Sequence, residues 1–278
     1  MSPRPDSPRG GTRTITSLQN ERVKLIRSLD MRKVRRETGL FVAEGTSVLM
    51  TARDAGWVPK MLAFLAGSAA SGIGSGLVQW AQAAGAECLE VSEAVLGKLA
   101  AKDNPQTMLG VFQQRWTPEP APEGVANDAV WVALEGVRDP GNLGTIIRTA
   151  DGVGAGGVML IGTCCDPYSH EAVRASMGSI FDVPLVRVSP ERFPAWAATW
   201  RGDRVGTHLD AREDFRSVRY RLPALLVMGS EGPGLSPAIA QACSRLVKIP
   251  MAGRLDSLNL AVATALMLYE MRRESLAL

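Results

Sequence analysis

Cysteine and histidine are scarce in this chain of 278 residues, at four and two. Cys88, Cys164, Cys165 and Cys243 show neither the paired spacing of a zinc site nor the pattern of a disulfide framework. Reduced, buried thiols in a cytoplasmic protein are the expectation. With only His170 and His208 available, a histidine triad or a His-rich metal centre has few residues to draw on. Long apolar runs are missing too. None approaches the roughly 20 residues of a membrane span. The opening residues, MSPRPDSPRGGTR, lack the apolar segment of a secretory signal, and residues 1–14 read as a disordered Pro/Arg-rich tail.

What is present is the composition of a soluble globular protein, 46% hydrophobic and 21% charged. The length suits one large or two ordinary domains. The net charge of +3 is unevenly spread. Residues 1–116 hold fifteen Lys/Arg against ten Asp/Glu, whereas residues 117–278 hold sixteen against eighteen. The surplus is sharpest in ERVKLIRSLDMRKVRRETG, which carries Lys24, Arg27, Lys33, Arg35 and Arg36. A solvated helix face and a polyanion-binding surface both fit such a run.

Periodicity gives a coarse order of elements. Residues 17–38 have helical spacing, LFVAEG (40–45) reads as a strand, and a helix runs from Thr46 to Ala55. KMLAFLA is a strand, GSAASGIGSG a loop, LVQWAQAAG a helix, ECLEVS a strand, EAVLGKLAA a helix and TMLGVFQQ a strand. This is a small α/β unit over residues 15–115. RWTPEPAPEGVAND is rich in proline and acid and marks a linker, taken as 116–127. Residues 128–278 then alternate buried strands (AVWVALE, GGVMLIG, VPLVRVS, RVGTHLD, ALLVMGS, RLVKIPM) with helices, ending in a helix from about Leu258 to Ser275. Such alternation specifies a parallel sheet covered on both faces.

The glycines of GVGAGG (152–157) match the G-x-G-x-x-G of dinucleotide loops. That loop must follow a strand and open a helix; here it follows a helix and leads into a strand. It reads as a helix C-terminal turn, and an oxidoreductase reading fails on context. Three other loops do lie between a strand and a helix. EGVRDPGNLGTIIRTA carries Asn142 and Arg148, with a turn expected over 139–142 and the helix opening at Gly144 or Thr145. LLVMGSEGPGLS carries Glu231, and IPMAGRLDSLNLAVA carries Ser257 and Asn259. In open parallel sheets, ligands bind outside the carboxyl ends of strands. Asn and Arg there suit a phosphate or ribose; a capping Asn and a surface Arg are the plainer alternative.

At these loops the sequence resembles the SpoU (TrmH-like) RNA ribose 2′-O-methyltransferases of the SPOUT superfamily. The likeness rests on Asn142-Leu-Gly144-x-x-x-Arg148, MGSEGPGLS, IPMAGRLDSLNLAVA and the intervening AVRASMGSIFDVPL. It spans about 128–274, and residues 15–113 are more loosely similar to the substrate-binding domain many members carry. The resemblance implies an α/β C-terminal domain with a deep trefoil knot and a smaller N-terminal domain related in fold to a ribosomal protein. It implies S-adenosylmethionine framed by Gly229, Ile249 and Leu258 with Met251 nearby, and a homodimer. It makes Arg148 the central catalytic residue, oriented with the ribose by Asn142, Glu231 and Asn259. A guanidinium resists deprotonation, so phosphate binding and stabilisation of a developing negative oxygen suit Arg148 better than a base role. The sequence departs from the pattern at Ala261, where many relatives carry serine; Ser257 is the nearest hydroxyl. Ribosomal RNA is the expected substrate, with transfer RNA or a non-catalytic RNA-binding assembly role as alternatives. An RNA substrate would give Lys24, Arg27, Lys33, Arg35 and Arg36 phosphates to contact.

Overall fold

The computed structural model describes residues 11–100 and 106–276. Ten residues of the expected tail lie outside that range. Its last residues do not form a tail, because Thr12–Ile15 is a strand, β1, paired in parallel with Cys88–Val91. The chain divides into two compact units, residues 1–114 with 168–181, and residues 115–167 with 182–278.

In the first unit β1 is followed by α1 (Glu21–Ser28), α2 (Arg32–Thr38), β2 (Leu40–Glu44), α3 (Thr46–Asp54) and β3 (Met61–Leu65). Then come α4 (Gly72–Ala83), β4 (Glu87–Val91), α5 (Glu93–Leu99) and β5 (Met108–Gln113). The single helix read over 17–38 is two. Asn20 caps the first, accepting from the Arg22 N–H, and the chain breaks at Leu29–Met31 before the second. The Gly/Ser-rich stretch read as a loop contributes the first five of the twelve residues of α4, whose Leu77, Val78 and Ala81 are buried. Burial of that face outweighs the low helix propensity of glycine.

The five strands lie in the order β1-β4-β3-β5-β2, with β5 antiparallel to its neighbours. Side chains alternate across the sheet. Val42, Ala63, Leu89 and Val111 pack with Val23, Ile26, Val95 and Leu96 of α1 and α5. Phe41 and Phe112 join an aromatic cluster with Trp57, Tyr168 and Phe181, at ring centroids 4.7–6.4 Å apart. Trp57 Nε1 donates to the Phe181 carbonyl at 2.7 Å. The last two aromatics arrive from far along the chain, on the 168–181 excursion.

The second unit contains β6 (Val130–Glu135), α6 (Pro140–Gly152) and β7 (Val158–Ile161). The chain then crosses to the first unit for α7 (His170–Ala175), capped by Ser169. It returns for β8 (Leu185–Val188), α8 (Phe193–Ala198), β9 (Arg204–Thr207), β10 (Glu213–Asp214), β11 (Ala224–Met228), α9 (Pro237–Ala242), β12 (Arg245–Lys248) and α10 (Leu260–Met271). All pairings of its seven strands are parallel, in the order β10-β12-β9-β11-β6-β7-β8. Trp131 and Ala133 of β6 face Phe193, Ala197 and Ile239 of α8 and α9; α10 packs on α6 and β11.

The expected linker is strapped to this sheet. Thr117 bridges Val186, Trp196 Nε1 donates to the Pro120 carbonyl, and Val125 is buried in the core. The glycine run 152–157 ends α6, with Gly154 at φ 64°. A Cβ on Gly156 or Gly157 would lie 2.1 or 2.6 Å from the Trp131 ring. Those glycines let the backbone lie against the indole, and no nucleotide enters their explanation.

Candidate functional site

Because every strand of the second sheet is parallel, the loops after β6, β11 and β12 all leave from one edge. The order also reverses there: the chain runs outward from β6 to β7 and β8, then resumes on the other side at β9 and β11. The crevice outside the carboxyl ends of β6 and β11 is therefore the switch point at which open α/β sheets bind ligands.

The β6–α6 loop is shorter than the sequence suggested. Asp139 caps α6, its carboxylate accepting the Asn142 N–H at 2.6 Å, and Pro140 occupies the first helical position. A helix therefore begins where a turn over 139–142 was expected. Asp-Pro is a helix-start signal in its own right, and it places Asn142 in the first turn.

The loop after β11 doubles back on itself. Ser230 and Gly234 exchange backbone hydrogen bonds at 3.2 and 3.1 Å, leaving Glu231 at the tip. Gly229 lies so close to the returning strand that a Cβ would stand 2.1 Å from the Gly234 carbonyl carbon. Only glycine fits there. The loop after β12 runs from Ile249 to Leu258 with no backbone–backbone hydrogen bond among the described residues, and Asn259 ends it as the N-cap of α10.

Three residues from these three loops form one hydrogen-bonded chain. Asn259 Oδ1 accepts the Ala261 and Val262 N–H groups, at 2.9 and 3.3 Å. Asn259 Nδ2 donates to Asn142 Oδ1, and Asn142 Nδ2 donates to Glu231 Oε1, both at 2.9 Å. Glu231 Oε2 accepts the Arg138 N–H at 3.4 Å. A carboxylate only accepts, and capped helix N–H groups only donate, so both amide orientations are fixed by chemistry. Glu135, at the end of β6, accepts the Ser236 N–H at 2.8 Å and ties the β11 loop to the same edge. Sequence reading missed Glu135, Arg138 and Asp139, although an acid closing a buried strand is a visible signal.

Arg148 stands apart from this chain. It lies six residues beyond Asn142 on α6, about 120° around the helix at 3.6 residues per turn. It is exposed, with no hydrogen bond or ion pair recorded among the described residues. Asn142, Glu231 and Asn259 are thus brought together, and Arg148 is left open toward solvent. Ser257 is exposed and its hydroxyl bonds the neighbouring Asp256 carboxylate at 3.1 Å. Ile249 and Met251 are half-buried and Leu258 is exposed, so the residues expected around a cofactor remain open at the sheet edge. The unpaired backbone groups of 249–258 and the apolar Ile249, Met251 and Leu258 suit a ligand that presents both polar and apolar atoms.

The thiol of Cys165 is pushed up to about 12, chiefly by burial, with Cys164, Glu231 and Asp139 adding to the effect. It stays protonated and inert beside the crevice. Among the described residues no His/Cys/Asp/Glu group is placed to hold a metal ion.

In the first unit, Lys24, Arg27, Lys33 and Arg36 are exposed on α1 and α2. Arg35 is not. It is 4% exposed, and its Nη1 donates to the Leu29 and Asp30 carbonyls at 2.8 Å each. A buried guanidinium bracing the α1–α2 junction cannot contact phosphate, so Arg35 leaves the expected RNA-binding set.

The chain is similar to known proteins over most of its length. Residues 129–269 match the family model described as SpoU rRNA Methylase, and residues 20–110 match the MRM3-like substrate binding domain. An uncharacterised tRNA/rRNA methyltransferase of Synechocystis sp. is 32% identical over 95% of each chain. The 23S rRNA (guanosine(2553)-2'-O)-methyltransferase RlmP of Bacillus subtilis is 28% identical over 93% of this chain and 98% of its own. The AdoMet-bound rRNA methyltransferase of Sinorhizobium meliloti superposes with a TM-score of 0.88 at 42% identity, covering 96% of this chain and 99% of that one.

Proposed function

The chain belongs to the SpoU rRNA Methylase family, and we propose that it transfers a methyl group from S-adenosylmethionine to a ribose 2′-hydroxyl of ribosomal RNA. The observation that carries this is the Asn259–Asn142–Glu231 hydrogen-bonded chain, assembled from three sequence-distant loops at one sheet edge. Ribosomal RNA is preferred over transfer RNA because full-length relatives are named for it. The reading includes the cytoplasm as its location; among the described residues no helix is long and apolar enough to cross a membrane.

When bound, the cofactor supplies an already activated methyl group. Gly229, Ile249, Met251 and Leu258 would hold it at the edge, largely through open backbone groups. The protein's task is then alignment, which contributes several kcal/mol by placing the hydroxyl in line. Asn142 and Glu231, with orientations fixed by their mutual bond, would position the ribose. Arg148, with no recorded partner among the described residues, would take the phosphate beside it and stabilise the oxygen as its proton passes to solvent water.

A homodimer belongs to the same reading. Val262, Leu266 and Tyr269 follow one another at helical spacing on α10 and are 50%, 41% and 56% exposed. With Thr145 and Thr149 of α6 they line a shallow apolar groove. A second copy covering it would bury surface that a lone chain leaves in water. The knot is likewise proposed from the resemblance; the packing of α10 on α6 and β11 and its capping residue's bond to Asn142 support it.

Calorimetry with S-adenosylmethionine, followed by methyl transfer to ribosomal RNA, tests the reading. Arg148→Ala is expected to abolish transfer and leave cofactor affinity within a few fold. Unchanged turnover would remove Arg148 from the mechanism, and a folded dimer that binds no cofactor would sink the enzymatic reading.

A further inference from the structure

The first unit holds a cleft of about 420 Å³ whose lining shares no residue with the strand-end crevice. Its walls carry Lys24 and Arg27 from α1, Lys98 from α5 and His170 from α7, with Met31 and Leu99 among its apolar lining. The side chains of Lys24, Arg27 and Lys98 are exposed and make no recorded hydrogen bond or ion pair among the described residues. Asp30 is the acid lining the cleft, so the balance is positive.

His170 supplies a second, independent observation. Its Nε2 is buried without a hydrogen-bond partner. Glu44 Oε2 lies 3.4 Å away, within ion-pair range but without hydrogen-bond geometry. Burial lowers the His170 pKa, so the ring is neutral near pH 7 and the contact is no ion pair there. That nitrogen is itself closed off, so what a ligand in the cleft meets is the exposed part of a neutral His170 ring.

We propose that this cleft receives one unpaired nucleotide of the RNA substrate, its phosphate held by Lys24, Arg27 and Lys98 and its base lying on the apolar lining beside His170. The inference rests on the RNA reading above and specifies where the first unit grips its substrate. Three unpaired cations at one rim suit a phosphate. An apolar lining beside a neutral imidazole suits the face of a base, and a volume within the ordinary range of ligand pockets suits a single nucleotide. Only an unpaired base can be splayed into such a cleft.

The test uses the full chain, single-stranded oligouridylate carrying 4-thiouridine as the probe, and Arg27→Glu/Lys98→Glu as the variant. Arg53→Glu/Lys60→Glu, an equal charge change on exposed residues of the same unit, is the control. The cleft variant is expected to weaken RNA binding at least tenfold and to flatten the salt dependence by about 0.7 in log–log slope, the contribution of one phosphate on a single strand. The control should change affinity less than threefold, and photo-crosslinks should map near Met31. Should the Glu pair misfold by circular dichroism, Arg27→Gln/Lys98→Gln should still weaken binding measurably. Equal losses in both pairs, or none in the cleft pair, would overturn the proposal, as would crosslinks confined to other segments. Saturable binding of free uridine monophosphate that the cleft variant loses while RNA affinity stays intact would replace it with a small-molecule site. Failure of the unmutated protein to bind any RNA strikes the underlying reading instead, and its cofactor titration separates the two.

Discussion

Asn142 is the residue on which the strand-end site turns. Its amide receives a hydrogen from Asn259 and gives one to Glu231, so neither end is free to rotate. Asn142→Asp keeps the shape and replaces the donor by a second carboxylate facing Glu231. Adjacent carboxylates cannot both ionise cheaply, and the folded-state pKa of the pair rises above its unfolded value. The variant should therefore lose roughly 1–3 kcal/mol at neutral pH, the cost of a buried group robbed of its partner. Stability should return as pH falls through the raised value, because the folded pair then holds a proton that relieves the repulsion. Denaturant titrations at pH 5 and pH 8 check this; a deficit identical at both would mean that the carboxylates do not face each other. The residue types of the site were legible, since Asn142, Glu231 and Asn259 stand at strand ends in the sequence. Their mutual bonds were not, nor was the separation of Arg148 from them, because helix phase depends on where α6 begins. Asp139 as cap moved that start by several residues. Arg35 was misread for a related reason: within a basic run, only packing decides which guanidinium turns inward.

At the scale of elements, strands were read more faithfully than helix ends. β6, β7 and β11 are short apolar runs whose burial on both faces leaves little ambiguity. The start of α4 was hidden by its glycines, and α2 was merged with α1. The least legible element is the 168–181 excursion. Its sequence lies inside the stretch that resembles the methyltransferase domain, yet Tyr168 and Phe181 complete the aromatic cluster of the first unit. Trp57 anchors it through the Phe181 carbonyl. Trp57→Phe keeps a ring and removes the donor, leaving a buried carbonyl unpaired. It should cost about 1–3 kcal/mol and release amide protons of residues 178–181 to faster exchange. Hydrogen exchange that leaves this segment as protected as before would show that the bond does not hold it.

The whole molecule presents two unlike surfaces. One is basic, the exposed Lys24, Arg27, Lys33 and Arg36 of the first unit; the other is the apolar stripe of α10 in the second. If the stripe is the dimer contact, Leu266→Glu buries a charge without a partner there and should yield a monomer by sedimentation velocity at concentrations where the unmutated chain is dimeric. A dimer that persists would move the contact elsewhere. Sequence alone determined the class of each half, the parallel alternation of the second and the residue types at its strand ends, since period, propensity and composition are local properties of the chain. Tertiary structure decided which of those residues touch, which cation is buried, where the 168–181 segment packs and that a positively charged cleft opens beside His170. Each of these depends on packing between segments far apart in sequence, and no window of neighbouring residues contains that information.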